Sequence, residues 1–174
     1  MKHEIQYSGP AKIIYGKKYE TFESFYSKCV ELGNKIAEAE KNKNIPKVTK
    51  VLLMPRGSLL VADAVARILH LRGHQVLSIG FTSYDGEVQS ETIRIGQQPT
   101  IHDIQNEVVL VLDEVCDSAK TLRVVTQLLK EMNAKQVLTA TVDWKPKNSD
   151  GFKPDFYVEE VDQWVVYPSE VLEG

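Results

Sequence analysis

The sequence VVLVLDEVCDSAKTL, from Val108 to Leu122, contains the strongest structural pattern of the chain. It begins with five consecutive apolar residues, Val108 to Leu112, which are typical of a strand buried on both faces. Acids and small polar residues follow, and an apolar face at helical spacing then begins. The members of that face are Leu122, Val125, Leu128, Leu129 and Met132. The pattern therefore predicts a buried strand, an acidic tip, a tight loop and a helix.

Three acids, Asp113, Glu114 and Asp117, lie where the predicted strand meets the loop. A helix that starts after such a loop offers free backbone N–H groups and a partial positive charge, which suit a phosphate. Carboxylates beside it suit ribose hydroxyls and a hard cation such as magnesium. One segment can thus hold both ends of a sugar phosphate. Acids at the end of a buried strand also occur in phosphoryl-transfer folds, and the residue types alone leave both interpretations open.

Length, charge and cysteine content limit the class of protein. We expect residues 1–174 to form a single domain, since this length is enough for a sizeable core. The chain has 21 Lys and Arg against 24 Asp and Glu and no basic stripe, so its charge does not support nucleic-acid binding. No apolar run has the length of a membrane span, so no membrane association is expected. Cys29 and Cys116 form no disulfide or metal-ligand pattern, which favours a reducing, cytoplasmic location.

A second strand and loop occur earlier in the chain. Val48 to Met54 has the composition of a buried strand, and the loop Pro55-Arg56-Gly57-Ser58 follows it. Ser58 is expected to cap a helix that Gly73 closes. The guanidinium of Arg56 suits bidentate phosphate binding, although a loop arginine taken alone is more often a solvated surface residue.

The rest of the chain continues this alternation of strands and helices. Thr21 is the expected N-cap of a helix whose apolar stripe runs from Phe22 to Ile36. Residues 82–106 are polar, which predicts a lid or irregular loop with a two-stranded flap around Thr92 to Gln97. The other predicted strands are Ala11–Tyr15, Gln75–Phe81, Gln136–Val142 and two short ones between Pro154 and Pro168. Together these elements predict an α/β fold with a mostly parallel central sheet flanked by helices and ligands at the carboxyl ends of the strands.

The central stretch resembles the signature of the type I phosphoribosyltransferases, which bind 5-phosphoribosyl-1-pyrophosphate (PRPP). That signature is an apolar strand, two acids, two mostly apolar residues, an Asp, a Thr or Ser, a Gly, any residue and a Thr. The matching residues are Asp113, Glu114, Asp117, Ser118 and Thr121. Ala119 replaces the usual Gly, and its methyl group is expected to fit if φ stays negative. The resemblance implies that family's fold, with a mobile hood loop and a small C-terminal hood, about residues 143–174, that binds the base.

The same resemblance implies roles for individual residues. Asp117 is the expected catalytic base, and magnesium is the expected cofactor, with Asp113, Glu114 and Glu170 as its ligands. The loop around Arg56 is expected to bind the pyrophosphate, and the loop after the central strand the 5-phosphate. The full expected PRPP site is Arg56, Gly57, Ser58, Asp113, Glu114, Asp117, Ser118, Ala119, Lys120 and Thr121.

Other segments resemble the 6-oxopurine phosphoribosyltransferases, whose bases are xanthine, guanine and hypoxanthine. Ser83-Tyr84 resembles the start of their hood loop, and Lys145 takes the place of the lysine that contacts the 6-oxo oxygen. Trp164 would stack on the purine, and the backbone of Val165 would contact the ring edge. Taken alone, Trp164 is more often a core or interface anchor. The implied reaction is purine salvage, which forms a purine nucleoside monophosphate, in a homodimer or higher homo-oligomer.

Two other interpretations stay open at this point. Ala119 and Ser58 stand where glycines are usual, which favours a regulatory protein that senses PRPP or nucleotides with weak catalysis. A phosphoribosyltransferase for another base, such as a pyrimidine or adenine, is the second. Lys145 discriminates against adenine, because an ammonium donates well to an oxo group and badly to an amino group.

Overall fold

A five-stranded parallel sheet with helices on both faces occupies the centre of the molecule. The computed structural model describes residues 8–82 and 94–170. The helices are α1 (Phe22–Lys41), α2 (Leu59–Ile68), α3 (Ile101–Ile104) and α4 (Lys120–Glu131). The strands are β1 (Lys12–Ile14), β2 (Lys17–Tyr19), β3 (Lys50–Leu53), β4 (Val76–Ser78), β5 (Phe81–Thr82), β6 (Arg94–Ile95), β7 (Val108–Cys116), β8 (Gln136–Trp144), β9 (Phe156–Glu160) and β10 (Trp164–Val166). The predicted α/β class is confirmed.

The central sheet has the strand order β4-β3-β7-β8-β9, and all neighbouring strands in it are parallel. The apolar run from Val108 to Leu112 is buried throughout, because α1 and α2 cover one face of the sheet and α3 and α4 the other. Among the described residues, no helix is long and apolar enough to cross a membrane. Since parallel strands end at one edge, the loops after β3, β7 and β8 lie side by side.

The first long helix begins at its predicted cap. The Thr21 hydroxyl accepts a hydrogen bond from the Ser24 N–H at 3.0 Å, and the Ser24 hydroxyl accepts one from the Thr21 N–H at 2.9 Å. These reciprocal bonds satisfy two donors that the start of a helix leaves unpaired. The apolar stripe that follows is buried against the sheet at Phe25, Cys29, Leu32 and Ile36. Local sequence therefore sets both the start and the inner face of α1.

A second sheet joins the two ends of the chain. Its three strands lie in the order β1-β2-β10, with β1 antiparallel and β10 parallel to β2. Trp164 lies opposite Lys17, and Val166 lies opposite Tyr19. The two short C-terminal strands therefore belong to different sheets, since β9 pairs with β8. Strands from the N-terminus thus complete the predicted C-terminal hood.

Two boundaries differ from their predictions. β7 continues to Cys116, because β8 pairs with it as far as Trp144, so the acids Asp113 and Glu114 lie within the strand. α2 ends at Ile68 and not at Gly73. His70 has a φ of 55°, which is incompatible with a continuing helix.

Ser58 occupies the N-cap position of α2, but the predicted side-chain cap is wrong. Its hydroxyl donates to the Met54 carbonyl at 2.6 Å and accepts from the Met54 N–H at 2.7 Å. The residue is fully buried. Ser58 therefore fastens the loop to the end of β3 instead of capping the helix.

The described residues of the stretch 82–106, which are Thr82 and 94–106, are more regular than predicted. β5 and β6 pair antiparallel, with Phe81 opposite Ile95, which agrees in part with the predicted flap. Ile104, in α3, is fully buried and packs in the core on the α4 side of the sheet. The predicted lid residues Ser83 and Tyr84 lie outside the described residues.

A buried ionic cluster ties the small sheet to the large one. The Lys28 ammonium lies 2.7 Å from Glu20 Oε1 and 3.2 Å from Asp143 Oδ1, and both acidic side chains are fully buried. The Tyr167 hydroxyl donates to Asp143 Oδ2 at 2.8 Å. Burial by itself lowers the pKa of Lys28, but the charge of Asp143 and hydrogen bonds to Glu159 and Glu20 outweigh it and raise that pKa. Lys28 therefore stays charged and compensates two buried carboxylates.

We expect Lys28→Met to lower the free energy of unfolding by about 3 kcal/mol, because it removes the ammonium that pairs with the buried Asp143 carboxylate, whereas Glu20 keeps Lys18 at 3.2 Å. Lys35→Met on the same helix is the matched control. Its ammonium pairs with Glu31 at 3.0 Å on the surface, and a loss of about 0.5 kcal/mol or less is expected there. Urea unfolding measures both variants, and equal losses would contradict a special role for Lys28.

Candidate active site

The end of β7 carries two adjacent acids, Asp113 and Glu114. Burial raises the pKa of Asp113 well above its ordinary range, and the neighbouring Glu114 raises it further. The Glu114 N–H donates to Asp113 Oδ1 at 3.0 Å. Oε2 of Glu114 is buried and has no hydrogen-bond partner among the residues that the structure describes. An orphaned buried oxygen is costly, so these acids are suited to a ligand that brings donors or a cation.

The loop after β3 meets these acids directly. A Cβ placed on Gly57 would overlap the carboxylate of Glu114, so a larger residue here would have to displace the Glu114 side chain. The Arg56 side chain is exposed on the same loop, and the Pro55–Arg56 peptide bond is cis. The two predicted motifs, far apart in sequence, are therefore brought together at the carboxyl edge of the sheet.

The loop before α4 surrounds a cavity of about 100 Å³. Its lining includes the predicted loop residues Asp117, Ser118, Ala119, Lys120 and Thr121, together with Asp113. Because the cavity lies at the start of a helix of 12 residues, unpaired backbone N–H groups are available to an anion there. The residues of the predicted phosphate site therefore line one concavity.

Ala119 does not meet the condition of a negative φ under which its methyl group was expected to fit. Its backbone is left-handed, with φ 59° and ψ 3°, and its side chain is buried. Only glycine adopts this conformation without strain, and for other residues it costs roughly 1–2 kcal/mol. The loop therefore has a backbone conformation that favours glycine. The contacts around the buried methyl group of Ala119 must offset the strain of this conformation.

Asp117 lies between the loop that precedes α4 and the turn that follows β8. Lys145 Nζ donates to its Oδ2 and Asn148 Nδ2 to its Oδ1, each at 2.7 Å. Partial burial by itself raises the pKa of Asp117, but these hydrogen bonds and the charge of Lys145 outweigh it and lower that pKa. Asp117 is therefore a carboxylate with both oxygens paired.

A second cavity, of about 120 Å³, adjoins Asp117. The indole of Trp164 is 61% exposed, so the interpretation of Trp164 as a core anchor is wrong. The Lys145 ammonium lies 5.4 Å from the centre of that ring, and the residue is 7% exposed. An open aromatic face and a nearly buried cation are thus placed across one cavity. Its lining is Glu114, Val115, Asp117, Lys145, Trp164, Val165, Tyr167 and Glu170.

The acids fit magnesium only in part. In residues 8–82 and 94–170, no group of three or more His, Cys, Asp and Glu side chains is arranged to hold a metal ion. Magnesium, however, is commonly bound by one or two carboxylates together with substrate phosphates. The orphaned Oε2 of Glu114 and the neighbouring Asp113 meet that description. Glu170 lines the same cavity as Glu114, and its carboxylate accepts from the Tyr167 N–H at 3.0 Å.

Sequence reasoning missed two residues of the site. Asn148 contacts Asp117, but a polar residue in a charged turn gives no signal that separates it from a solvated one. Tyr167 is buried, donates a hydrogen bond to Asp143 and lines the second cavity. Tyr167 lies in a segment that was predicted as a short strand, but nothing in the sequence indicated that its hydroxyl would meet the carboxylate of Asp143.

Comparison with known proteins identifies the class. A family profile described as the phosphoribosyl transferase domain matches residues 19–171. A comparison with curated proteins gives no match. The chain belongs to the phosphoribosyl transferase family and has the type I phosphoribosyltransferase fold.

Several solved structures are similar to this chain. A purine phosphoribosyltransferase from Pyrococcus horikoshii is 28% identical, with a TM-score of 0.71 over 88% of this chain and 93% of that one. A xanthine-guanine-hypoxanthine phosphoribosyltransferase from Helicobacter pylori is 25% identical, with a TM-score of 0.71 over 90% and 96% of the two chains. A mutant hypoxanthine phosphoribosyltransferase from Trypanosoma cruzi, complexed with the product IMP, is 20% identical with a TM-score of 0.66 over 90% and 80%. It supports the fold alone.

We expect Ala119→Gly to raise the free energy of unfolding by about 0.5–1 kcal/mol, because relief of the left-handed strain exceeds the entropy that glycine adds to the unfolded chain. Ala37→Gly, inside α1, is the opposite control, and a loss of about 1 kcal/mol is expected there. Urea unfolding compares the two variants. A loss of stability in both would mean that packing around the Ala119 methyl outweighs the backbone strain.

Proposed function

We propose that this phosphoribosyltransferase transfers the 5-phosphoribosyl group from PRPP to a 6-oxopurine. The products are pyrophosphate and a purine nucleoside monophosphate. The observation that carries the proposal is the pairing of the exposed Trp164 indole with the Lys145 ammonium across a cavity that Asp117 also lines. A flat base needs a face to stack on and donors at its edge. Lys145 would donate to the 6-oxo oxygen, and the backbone of Val165 would contact the opposite part of the ring edge.

PRPP would lie between the two loops at the carboxyl edge of the sheet. Residues 118–121 would bind its 5-phosphate with backbone N–H groups and hydroxyls, and the loop of Arg56 and Gly57 its pyrophosphate. Asp113 and Glu114 would face the ribose hydroxyls. They would also hold magnesium, with Glu170 as a further ligand, and magnesium when bound supplies positive charge beside the pyrophosphate.

The chemical step exchanges one bond at the anomeric carbon for another. A ring nitrogen of the purine forms a bond to that carbon while the bond from carbon to the pyrophosphate oxygen breaks. The proton of the attacking ring nitrogen passes to the Asp117 carboxylate. Arg56 donates to the leaving pyrophosphate and offsets its charge. Lys145 would leave Asp117 for the oxo group of the base, which frees an oxygen of Asp117 for the proton.

An assay of PRPP and magnesium against guanine, xanthine, hypoxanthine, adenine and uracil, each alone, tests the proposal. We expect conversion of at least one of the three 6-oxopurines and loss of that conversion on chelation of magnesium. Conversion of adenine or uracil alone would contradict the assignment of Lys145. If no base is converted while calorimetry detects PRPP or a nucleotide, the protein is a sensor of these ligands.

We expect Asp117→Asn to lower kcat by on the order of 100-fold, because the amide has nearly the same shape but cannot accept the proton. The matched control is Asp162→Asn. The Asp162 carboxylate lies 2.6 Å from the Lys147 ammonium on the surface, and its replacement is expected to leave kcat within about twofold. Steady-state kinetics with the preferred base measure both variants. A loss of less than about fivefold in Asp117→Asn would assign Asp117 a binding role only.

A further inference from the structure

Both oxygens of the Asp117 carboxylate have donors, and the two donors belong to one turn. Lys145 Nζ reaches Oδ2 and Asn148 Nδ2 reaches Oδ1, each at 2.7 Å. The Asp117 side chain is 40% exposed, so without these partners it would be free to rotate toward solvent. The turn between residues 145 and 149 therefore determines where the carboxylate points.

That turn is fixed at its base. The Lys145 N–H donates to the Cys116 carbonyl at 2.9 Å, which joins the start of the turn to the end of β7. The Asn148 N–H donates to the Lys145 carbonyl at 3.1 Å and closes the turn. Ser149 is fully buried, and its hydroxyl accepts from Trp144 Nε1 at 3.0 Å. The side chain of Asn148 is thus exposed, but hydrogen bonds of Lys145 and Ser149 fix the backbone on either side of it.

A second attachment joins the turn to the phosphate loop. Arg123, in the first turn of α4, donates to the Asp150 carbonyl at 2.8 Å. Its guanidinium also lies 5.2 Å from the centre of the Phe152 ring. Since α4 begins directly after the phosphate loop, Asp117 and the turn that holds it are anchored to the same helix.

The two donors differ in what a base would do to them. Lys145 is charged, nearly buried and close to the Trp164 ring, so an oxo oxygen entering the cavity competes for its ammonium. Asn148 is neutral and lies on the other side of the carboxylate, at Oδ1. A neutral donor also holds a carboxylate with less loss of basicity than a second cation would cause.

We propose that Asn148 is a positioning residue for Asp117: it holds Oδ1 while Lys145 moves from Oδ2 to the oxo group of the base, so that Oδ2 stays directed at the ring N–H. This inference rests on the proposed function and extends it to a residue with no assigned role. Asn148 does not touch the reacting atoms. Its effect is therefore expected in turnover more than in the binding of PRPP.

Steady-state kinetics of variants on this turn test the inference. We expect Asn148→Ala to lower kcat about tenfold, since one hydrogen bond to a charged group is lost, and to leave the KM for PRPP within about twofold. Asn148→Gln keeps an amide donor and is expected to recover most of that loss. Lys147→Met is the matched control on the same turn, because the Lys147 side chain is 76% exposed and pairs with Asp162. It is expected to leave kcat within about twofold.

A measurement without turnover separates this inference from the proposed function. Carbon-13 NMR of the free protein follows the Asp117 carboxyl, whose pKa is held low by Lys145 and Asn148 and whose cavity also contains Glu114 and Glu170. We expect Asn148→Ala to raise that pKa and Lys147→Met to leave it unchanged. If the wild type converts no base, the proposed function fails. The NMR result alone then shows whether Asn148 holds the Asp117 carboxylate.

An unchanged pKa in Asn148→Ala overturns the inference, and so does a kcat within twofold of the wild type in a protein that is active. Equal kcat losses in Asn148→Ala and Lys147→Met also overturn it, because they would mean a general disturbance of the turn. If Asn148→Ala does not fold, Asn148→Asp takes its place. It has the same shape without the donor, and we expect at least the same loss of kcat.

Discussion

The carboxylate of Asp143 is the constraint around which the two sheets are assembled. It is fully buried at the end of β8, where it faces Lys28 from α1 and the hydroxyl of Tyr167 from the C-terminal segment. A charge in that position is tolerated only when both partners are in place. Three segments from different parts of the chain must therefore converge on it. The segment of Tyr167 carries Trp164, so the location of one wall of the cavity between Trp164 and Lys145 follows from the charge balance of the core.

The parallel order of the sheet accounts for the rest of the site. β3, β7 and β8 are neighbours, and their carboxyl ends carry, respectively, the loop of Arg56, the acids with the loop before α4, and the turn of Lys145. The contact between Gly57 and Glu114 illustrates how closely these loops approach. Positive groups, Arg56 and Lys145, stand on either side of a strand end that is rich in negative charge. In the proposed complex, the phosphates of the ligand would lie beside Arg56 and the neutral ring beside Lys145 and Trp164.

Much of this arrangement is encoded in short stretches of sequence. The apolar run at Val108 to Leu112 and the Thr21 cap predicted their elements correctly because burial on both faces and helix capping are local properties. The pairing of β10 with β2 was not predictable, since a strand of three residues has no preferred partner until the large sheet has placed it. Ser58 was predicted as a cap because its residue type fits that role, but in the fold its hydroxyl binds Met54. Asn148 gave no signal at all, because its partner lies on another strand end.

The small sheet also has a consequence for the order in which the chain folds. The segments that surround the proposed sugar-phosphate side run from β3 to β8, and β8, which pairs with the end of β7, is complete at residue 144. The acceptor side needs β10, which pairs with β2 near the opposite end of the chain and therefore closes a loop of nearly the whole sequence. Contacts so distant in sequence form late, because the entropy of loop closure is lost before they contribute. During synthesis on the ribosome, the strands and loops of the proposed sugar-phosphate side are thus complete before the strand that carries Trp164.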